Sequence, residues 1–113
     1  MDELVARIAL SRTPGLQRSV KKSLINTFGA ARPLFQKASP VPDAETRRRL
    51  KAFGDFAAIE RELAELDRRG VEVITLGQPG YPPLLSDLVD SPIVLFKKGP
   101  MEISDSVLSI VGS

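Results

Sequence analysis

Short apolar segments separated by glycine and proline constrain the fold of this chain more than any other feature of its sequence. Residues 71–76 and 93–96 are two such segments, rich in Val, Ile and Leu and bounded by Gly or Pro. A third, residues 107–111, runs into Gly112-Ser113. Segments of this length that are apolar on both faces predict buried strands of a parallel or mixed sheet.

The residues before position 71 predict helices. Apolar residues recur at helical spacing in five segments, with Asp at three of the predicted N-caps. The segments are residues 3–10 after Asp2, 18–27, 30–36, a fourth after Asp43 and a fifth after Asp55. We therefore expect an α+β chain with a helical domain over residues 1–70 and the start of a sheet domain over residues 71–113.

The connection between the first two predicted strands is rich in proline, and the sequence predicts a short helix within it. That helix covers residues 84–89, with Leu84, Leu85 and Leu88 facing inward. Residues 100–106 are predicted to form a loop that carries Glu102 and Asp105. The sheet would then resume at residue 107.

Composition excludes several classes of protein. The chain has no Cys and no His, which removes disulfides and the commonest metal ligand and general base. No apolar run approaches the roughly 20 residues of a membrane helix, and the acidic start differs from a secretory signal. With no paired-carboxylate spacing and no nucleophile beside a base, we expect a cytoplasmic protein that is not an enzyme, binds no cofactor and has no membrane partner.

The positive charge of the chain lies in its first half. Residues 1–54 hold eleven Lys or Arg against four acids, whereas residues 55–113 hold five against ten. Such asymmetry places any contact with a polyanion in the first half, although the two halves could equally just attract each other. The run Arg47-Arg48-Arg49 with Lys51 could meet phosphate, but a run of this kind is more often a solvated helix face.

The turn at Thr13-Pro14-Gly15 joins two predicted helices into a hairpin whose spelling resembles a helix-hairpin-helix element. In that element a Gly-apolar-Gly turn exposes backbone N–H groups to a DNA phosphate. Here Gly15 and Leu16 match, while Gln17 stands at the second glycine. The candidate nucleic-acid-binding residues are Gly15, Leu16, Arg18, Lys21 and Lys22. The alternative, a hairpin used only for packing, is favoured modestly.

The second half is similar to the DNA-processing protein A (DprA, also called Smf) family. Its members carry a Tyr-Pro-x-x-Leu stretch, a Pro-x-x-Leu-Phe strand ending in glycine, and a later strand ending in Ile-Val-Gly-Ser or Thr. The matching residues are Tyr81, Pro82, Leu85, Pro92, Leu95, Phe96, Gly99, Ile110, Val111, Gly112 and Ser113. The helical first half fits as well, so the resemblance covers essentially the whole chain.

The resemblance implies a cytoplasmic protein that binds single-stranded DNA during natural transformation and helps to load the recombinase RecA. It also implies a sterile-alpha-motif-like (SAM-like) or helix-hairpin-helix-like bundle before an extended Rossmann-like core that uses no nucleotide and forms homodimers. Gly112 and Ser113 would be half of the anion pocket of that core, so the chain is expected to be an N-terminal fragment. The alternative is a helical module that docks proteins and never touches DNA.

Overall fold

The computed structural model describes residues 2–98 and 102–104, the last three by their backbone alone, and shows an α+β fold. Within these residues five α-helices and one 3₁₀ helix accompany a small three-stranded sheet. The elements are α1 (Glu3–Arg12), α2 (Arg18–Phe28), the 3₁₀ helix (Arg32–Phe35), α3 (Ala44–Ala52), α4 (Phe56–Arg68), β1 (Val71–Thr75), α5 (Pro83–Ser86), β2 (Val94–Lys98) and β3 (Glu102–Ser104). Among the described residues no helix combines the length and apolar character needed to cross a membrane.

Local side-chain chemistry sets most of the helix ends. Asp2 accepts a hydrogen bond from Val5 N at 2.9 Å, and Asp43 accepts one from Thr46 N at the same distance. Both aspartates therefore cap their helices as the sequence predicts. Gly29 ends α2 in the left-handed conformation at φ +73°. The predicted cap at Asp55 is wrong, because its side chain makes no capping hydrogen bond at the start of α4.

The third predicted helix, residues 30–36, is only the four-residue 3₁₀ helix Arg32–Phe35. Pro33 has no N–H and cannot join an α-helical ladder, so the segment closes one tight turn. Three aromatic rings then hold this turn on the following helices. Phe35 lies 5.5 Å from Phe56 and 6.4 Å from Phe53, measured between ring centroids.

The first two predicted strands lie side by side, but they run in opposite directions. β1 pairs with β2 in register from Val71 opposite Lys98 to Thr75 opposite Val94. The expectation of a parallel sheet is therefore wrong for the described strands, and the alternative of a mixed sheet stays a prediction. Parallel neighbours need a crossover that brings the chain back to the end at which it started. Here the connection simply turns back, and Tyr81 closes it by donating its hydroxyl to Pro92 O at 2.6 Å.

The third described strand lies where the sequence predicts a loop. β3 (Glu102–Ser104) pairs antiparallel with β2, and the sheet order is β1-β2-β3. Three residues are too few to show a periodic pattern, which explains why the prediction of a loop over residues 100–106 is wrong. The predicted strand at residues 107–111 lies outside the described residues.

Both faces of the β1–β2 pair carry buried side chains, in agreement with the apolar character of these strands, although Glu72 and Lys98 are exposed. Val71, Val94 and Phe96 join the core of the helical part, which also contains Leu10, Leu34 and Ile59 among its largest members. On the other face Ile74, Tyr81 and Leu95 form a smaller cluster. One core thus continues from the helices into the sheet. The division into domains 1–70 and 71–113 stays a prediction.

A partly buried ion pair fixes α1 to both halves of the chain. Arg7 pairs with Glu3 through Nε at 2.8 Å and donates from Nη1 to Leu76 O at 3.1 Å. The Glu3 carboxylate also accepts from Ala31 N at 2.7 Å and from Arg32 N at 2.9 Å. These two residues therefore join α1, the 3₁₀ helix and the end of β1 at one point.

The helix in the β1–β2 connection is shorter than predicted, and two of its three leucines do not face inward. α5 has four residues, too few to place Leu84 and Leu88 on one side of a helix. Leu85 packs against the cluster around Tyr81. Leu84 is 85% exposed and Leu88 is 47% exposed, so the prediction is wrong for both.

Candidate nucleic-acid interface

The turn between α1 and α2 has the tight geometry that its Pro-Gly spelling predicts. Thr13 ends α1, and its buried hydroxyl donates to Ala9 O at 2.8 Å. Gly15 follows with φ +83°, a conformation that L-residues other than glycine rarely adopt. α2 then begins with Gln17 at the N-cap position, without a capping hydrogen bond from its side chain. The turn is exposed at Pro14 and Gly15.

Leu16 and Gly15 have different surroundings. Leu16 is half-buried and packs against the main core, so it anchors the turn. Gly15 instead meets a side chain from α3. A Cβ at position 15 would lie 2.6 Å from Arg49 Cζ and 3.1 Å from Arg49 Cδ. The guanidinium of Arg49 therefore lies directly against the face of the turn that a helix-hairpin-helix element leaves open.

Arg18 and Lys21 bring two further cations to the start of α2. Lys21 is half-buried and donates from Nζ to Ser11 O at 2.7 Å. Burial lowers the pKa of Lys21, and the positive charge of Arg18 lowers it further. Arg18 is exposed. Two like charges held close together raise the local positive potential, which an approaching anion would relieve.

Lys22 has a different role from its neighbour. Its ammonium donates to Ser86 O at 2.8 Å, to Leu88 O and to Ser91 Oγ at 3.2 Å. An ammonium has three hydrogens, and here each has an acceptor in the β1–β2 connection. The sequence groups Lys22 with the candidate nucleic-acid-binding residues, but in the structure its ammonium is bonded within the protein. The side chain fastens the connection to α2.

The basic run on α3 is divided between structural and exposed positions. Arg47 donates from Nη1 to Val41 O at 2.6 Å and to Pro42 O at 2.9 Å, which secures the loop before its own helix. Arg48 and Arg49 share the Glu45 carboxylate, at 2.6 and 3.1 Å. One carboxylate balances only one of two guanidiniums, so this part of α3 keeps a net positive charge.

The structure thus brings together some of the sequence-predicted residues and not others. Gly15, Arg18 and Lys21 lie at the turn, Leu16 lies beneath it, and the Lys22 ammonium is bonded to the β1–β2 connection. Gly112 and Ser113 lie outside the described residues. Arg49 belongs to the site although the sequence does not place it there, because its contact with Gly15 joins residues 34 positions apart. The sequence did indicate that the run Arg47-Arg48-Arg49 could meet phosphate, but it gave no sign that this run lies beside the turn.

Replacing Gly15 by alanine is expected to lower the free energy of unfolding by about 1–2 kcal/mol, because alanine is strained at this φ. The new Cβ would also displace the Arg49 guanidinium. Urea unfolding measures the first effect. Gly54→Ala is the matched control, since Gly54 is also exposed, lies outside the positive-φ region and has no atom within 4 Å of an added Cβ. Equal stability of the two variants would contradict the strain assigned to Gly15.

The side chains at the candidate interface are of the kind that binds anions. Within the described residues no group of three or more Asp, Glu, Cys or His side chains could hold a metal ion. The groups gathered at the turn are guanidiniums, an ammonium and backbone, which bind anions by charge and hydrogen bonding. The chemistry available at this surface is therefore recognition of phosphate or carboxylate.

Comparison with known proteins gives one informative relative. The chain is 29% identical over 110 residues to the DNA processing protein DprA of Bacillus subtilis (strain 168). The match covers 91% of this chain and 36% of that relative, so the chain spans little more than a third of the relative's length. No family model and no solved structure matches the chain. This similarity supports a distant, DprA-like relationship that includes both the helices and the sheet.

Proposed function

We propose that this chain is the N-terminal part of a DNA-processing protein that binds single-stranded DNA and helps to load RecA onto it. The observation that carries the proposal is the similarity to DNA processing protein DprA across 91% of the chain. In this proposal residues 1–70 are a SAM-like or helix-hairpin-helix-like bundle. Residues 71–113 begin a Rossmann-like domain through which the longer protein, in the cytoplasm, forms a homodimer.

The charge at the α1–α2 turn supports a role for this part of the protein in holding DNA. Arg18, Lys21 and Arg49 come from two helices, and the Glu45 carboxylate beside Arg49 is shared with Arg48. Binding to a phosphate backbone depends on such cations and on the counterions that they displace. Nothing at the turn offers an aromatic platform for bases, so the contact would be to the backbone and independent of sequence.

Titration of a labelled single-stranded oligonucleotide with the chain tests DNA binding. Fluorescence anisotropy is expected to rise, and the logarithm of the affinity should fall linearly with the logarithm of salt concentration. One to three neutralised phosphates would give a slope between about −0.7 and −2. A mixed-sequence oligonucleotide and an oligothymidylate should bind alike. No binding at low salt, or binding indifferent to salt, would contradict the proposal for this part of the protein.

The RecA step needs a separate measurement on the longer protein. When single-stranded DNA and limiting RecA are mixed, RecA hydrolyses ATP only as it assembles on the strand. The longer protein should shorten the lag before hydrolysis begins, and the 113-residue chain alone should not, if the RecA contact lies in the core beyond it. An unchanged lag with the longer protein would leave DNA binding as its function without RecA loading.

Exposed apolar side chains favour a second candidate, a docking module that does not bind DNA. Leu84 and Val89 are 85% and 79% exposed, and Leu88 is 47% exposed. Three large apolar side chains in six residues form a surface of the kind that partners cover. In this case the chain would give no anisotropy signal and would self-associate as its concentration rises. Sedimentation of the chain beside a Leu84→Ser, Val89→Ser variant separates the two candidates.

A further inference from the structure

We propose that the α1–α2 turn receives DNA phosphate through the guanidinium of Arg49 on α3, and not through its own backbone N–H groups. The proposal rests on DNA binding by this chain and assigns the contact to a particular side chain. It also changes the binding surface from one helical hairpin to a face built from two separate parts of the sequence, the α1–α2 turn and α3.

The backbone of the turn is closed to a phosphate on the side where glycine would otherwise admit one. The Arg49 side chain lies where a Cβ of Gly15 would be, with Cζ 2.6 Å and Cδ 3.1 Å from that point. Gln17 brings a Cβ to the position at which a helix-hairpin-helix element has its second glycine. A phosphate that approaches this turn therefore meets the Arg49 guanidinium before it meets the backbone.

Arg49 also has the exposure and free bonding capacity that a phosphate ligand needs. Its side chain is 41% exposed, and its ion pair within the described residues joins Nη2 to Glu45 Oε1 at 3.1 Å. Arg48 already holds the same carboxylate oxygen at the shorter distance of 2.6 Å. A guanidinium has five N–H donors in a planar fork that fits two phosphate oxygens at once. Arg49 can thus turn towards a phosphate while Glu45 stays paired with Arg48.

The packing of Arg49 against Gly15 holds the guanidinium at the turn that leads into α2. Arg18 begins α2 three residues after Gly15, and its charge reaches Lys21 strongly enough to lower the pKa of that lysine, alongside burial. A side chain that is already ordered loses less conformational entropy on binding. The absence of a side chain at position 15 is what permits this order, so Gly15 would serve the site by seating Arg49.

The chain offers a closely matched control for the test. Glu65 on α4 is shared by Arg68 and Arg69 in the same way that Glu45 on α3 is shared by Arg48 and Arg49. Arg69→Gln and Arg49→Gln therefore remove the same charge from the same i, i+4 pair, and each leaves the acid paired with the preceding arginine. Only Arg49 contacts the turn.

The experiment measures the affinity of wild type and both variants for a labelled single-stranded oligonucleotide at several salt concentrations. Arg49→Gln is expected to weaken binding about tenfold at low salt and to reduce the salt slope by about 0.7, the loss of one phosphate contact. Arg69→Gln should change affinity less than about twofold. Arg49→Lys keeps the positive charge but loses the planar guanidinium that can bind two phosphate oxygens at once. This variant should therefore keep the salt slope and weaken binding severalfold.

Each outcome decides the proposal. If wild type binds DNA and the two glutamine variants bind equally well, Arg49 is not the contact, while DNA binding by the chain stands. If wild type does not bind DNA, the proposed function of this part of the protein fails and the assignment of Arg49 fails with it. Circular dichroism monitors folding, and if Arg49→Gln does not fold, the affinity and slope of Arg49→Lys decide the matter. Full affinity with Arg49→Lys would overturn the role of the guanidinium fork.

Discussion

Replacing Glu3 by alanine is expected to lower the free energy of unfolding by about 3 kcal/mol, the largest effect of any exposed or half-exposed position considered. The Glu3 carboxylate accepts from Ala31 N, Arg32 N and Arg7 Nε, all within 2.9 Å. Hydrogen bonds to a charged group contribute about 1.5–3 kcal/mol each when buried, and the partial exposure of Glu3 reduces that total. Urea unfolding followed by circular dichroism measures the loss.

The same contacts make the stability depend on pH. Burial raises the pKa of Glu3, but the backbone hydrogen bonds from Ala31 and Arg32, with Arg7, outweigh it and hold the pKa below the ordinary 4.5. A group whose pKa is lower in the folded state stabilises the fold above its unfolded pKa and loses that contribution as pH falls through the folded pKa. The stability difference between wild type and Glu3→Gln should therefore be largest near neutral pH and shrink below about pH 4.5.

A second glutamate serves as the control for the stability loss that follows from removing Glu3. The Glu60 side chain is exposed on α4 and makes no hydrogen bond or ion pair with the described residues, so Glu60→Ala should change stability by less than about 0.5 kcal/mol. Similar losses from Glu3→Ala and Glu60→Ala would show that the junction of α1, the 3₁₀ helix and β1 does not depend on the Glu3 carboxylate.

The features that the sequence predicted well are those set within a few residues. Asp2 and Asp43 cap helices because their side chains reach N–H groups three residues ahead. Gly29 ends α2 because it alone nearby accepts a positive φ without strain. Even the local rule failed at Asp55, where the backbone at ψ +46° does not bring the carboxylate to the first turn.

The direction of the strands could not be read in the same way. An apolar strand buried on both faces is typical of parallel sheets, yet the bundle covers one face of β1 and Tyr81 with Leu85 covers the other. Burial on both faces thus arose in an antiparallel pair, because the β1–β2 connection folds over the sheet. The apolar pattern of a strand indicates that the strand is buried. The direction of its neighbour depends instead on the path of the connection between the two strands.

The candidate site also depends on contacts between distant residues, which the sequence could not predict. The sequence identified the turn from the spelling around Gly15, but it could not show that a side chain 34 positions away would cover that glycine. It treated Lys21 and Lys22 alike, since both are basic residues on one turn of α2. Their difference depends on carbonyl groups more than 60 residues further along the chain. Long-range contacts of this kind decide which cations remain available to a ligand.

Replacing Lys22 by methionine tests whether this residue holds the β1–β2 connection or binds a ligand. The substitution is expected to lower the free energy of unfolding by about 2 kcal/mol. Methionine keeps most of the aliphatic length and removes the donors that hold Ser86 O, Leu88 O and Ser91 Oγ. Each lost charge-assisted bond would cost about 1.5–3 kcal/mol if buried, and water recovers part of this at the exposed carbonyls. Amide hydrogen exchange should accelerate in residues 83–91 before it does elsewhere.

Lys21→Met is the variant with which the DNA binding of Lys22→Met is compared. Within the described residues the Lys21 ammonium donates one hydrogen bond, to Ser11 O, so two of its hydrogens can turn to an anion beside Arg18. We expect Lys21→Met to reduce the salt slope of DNA binding by about 0.7 and Lys22→Met to leave it unchanged. A double-mutant cycle of Lys22→Met with Ser91→Ala should show coupling of about 1 kcal/mol, because the two side chains share a hydrogen bond. Additive effects in that cycle, or a lower salt slope for Lys22→Met, would mean that Lys22 faces the ligand and does not fasten the connection.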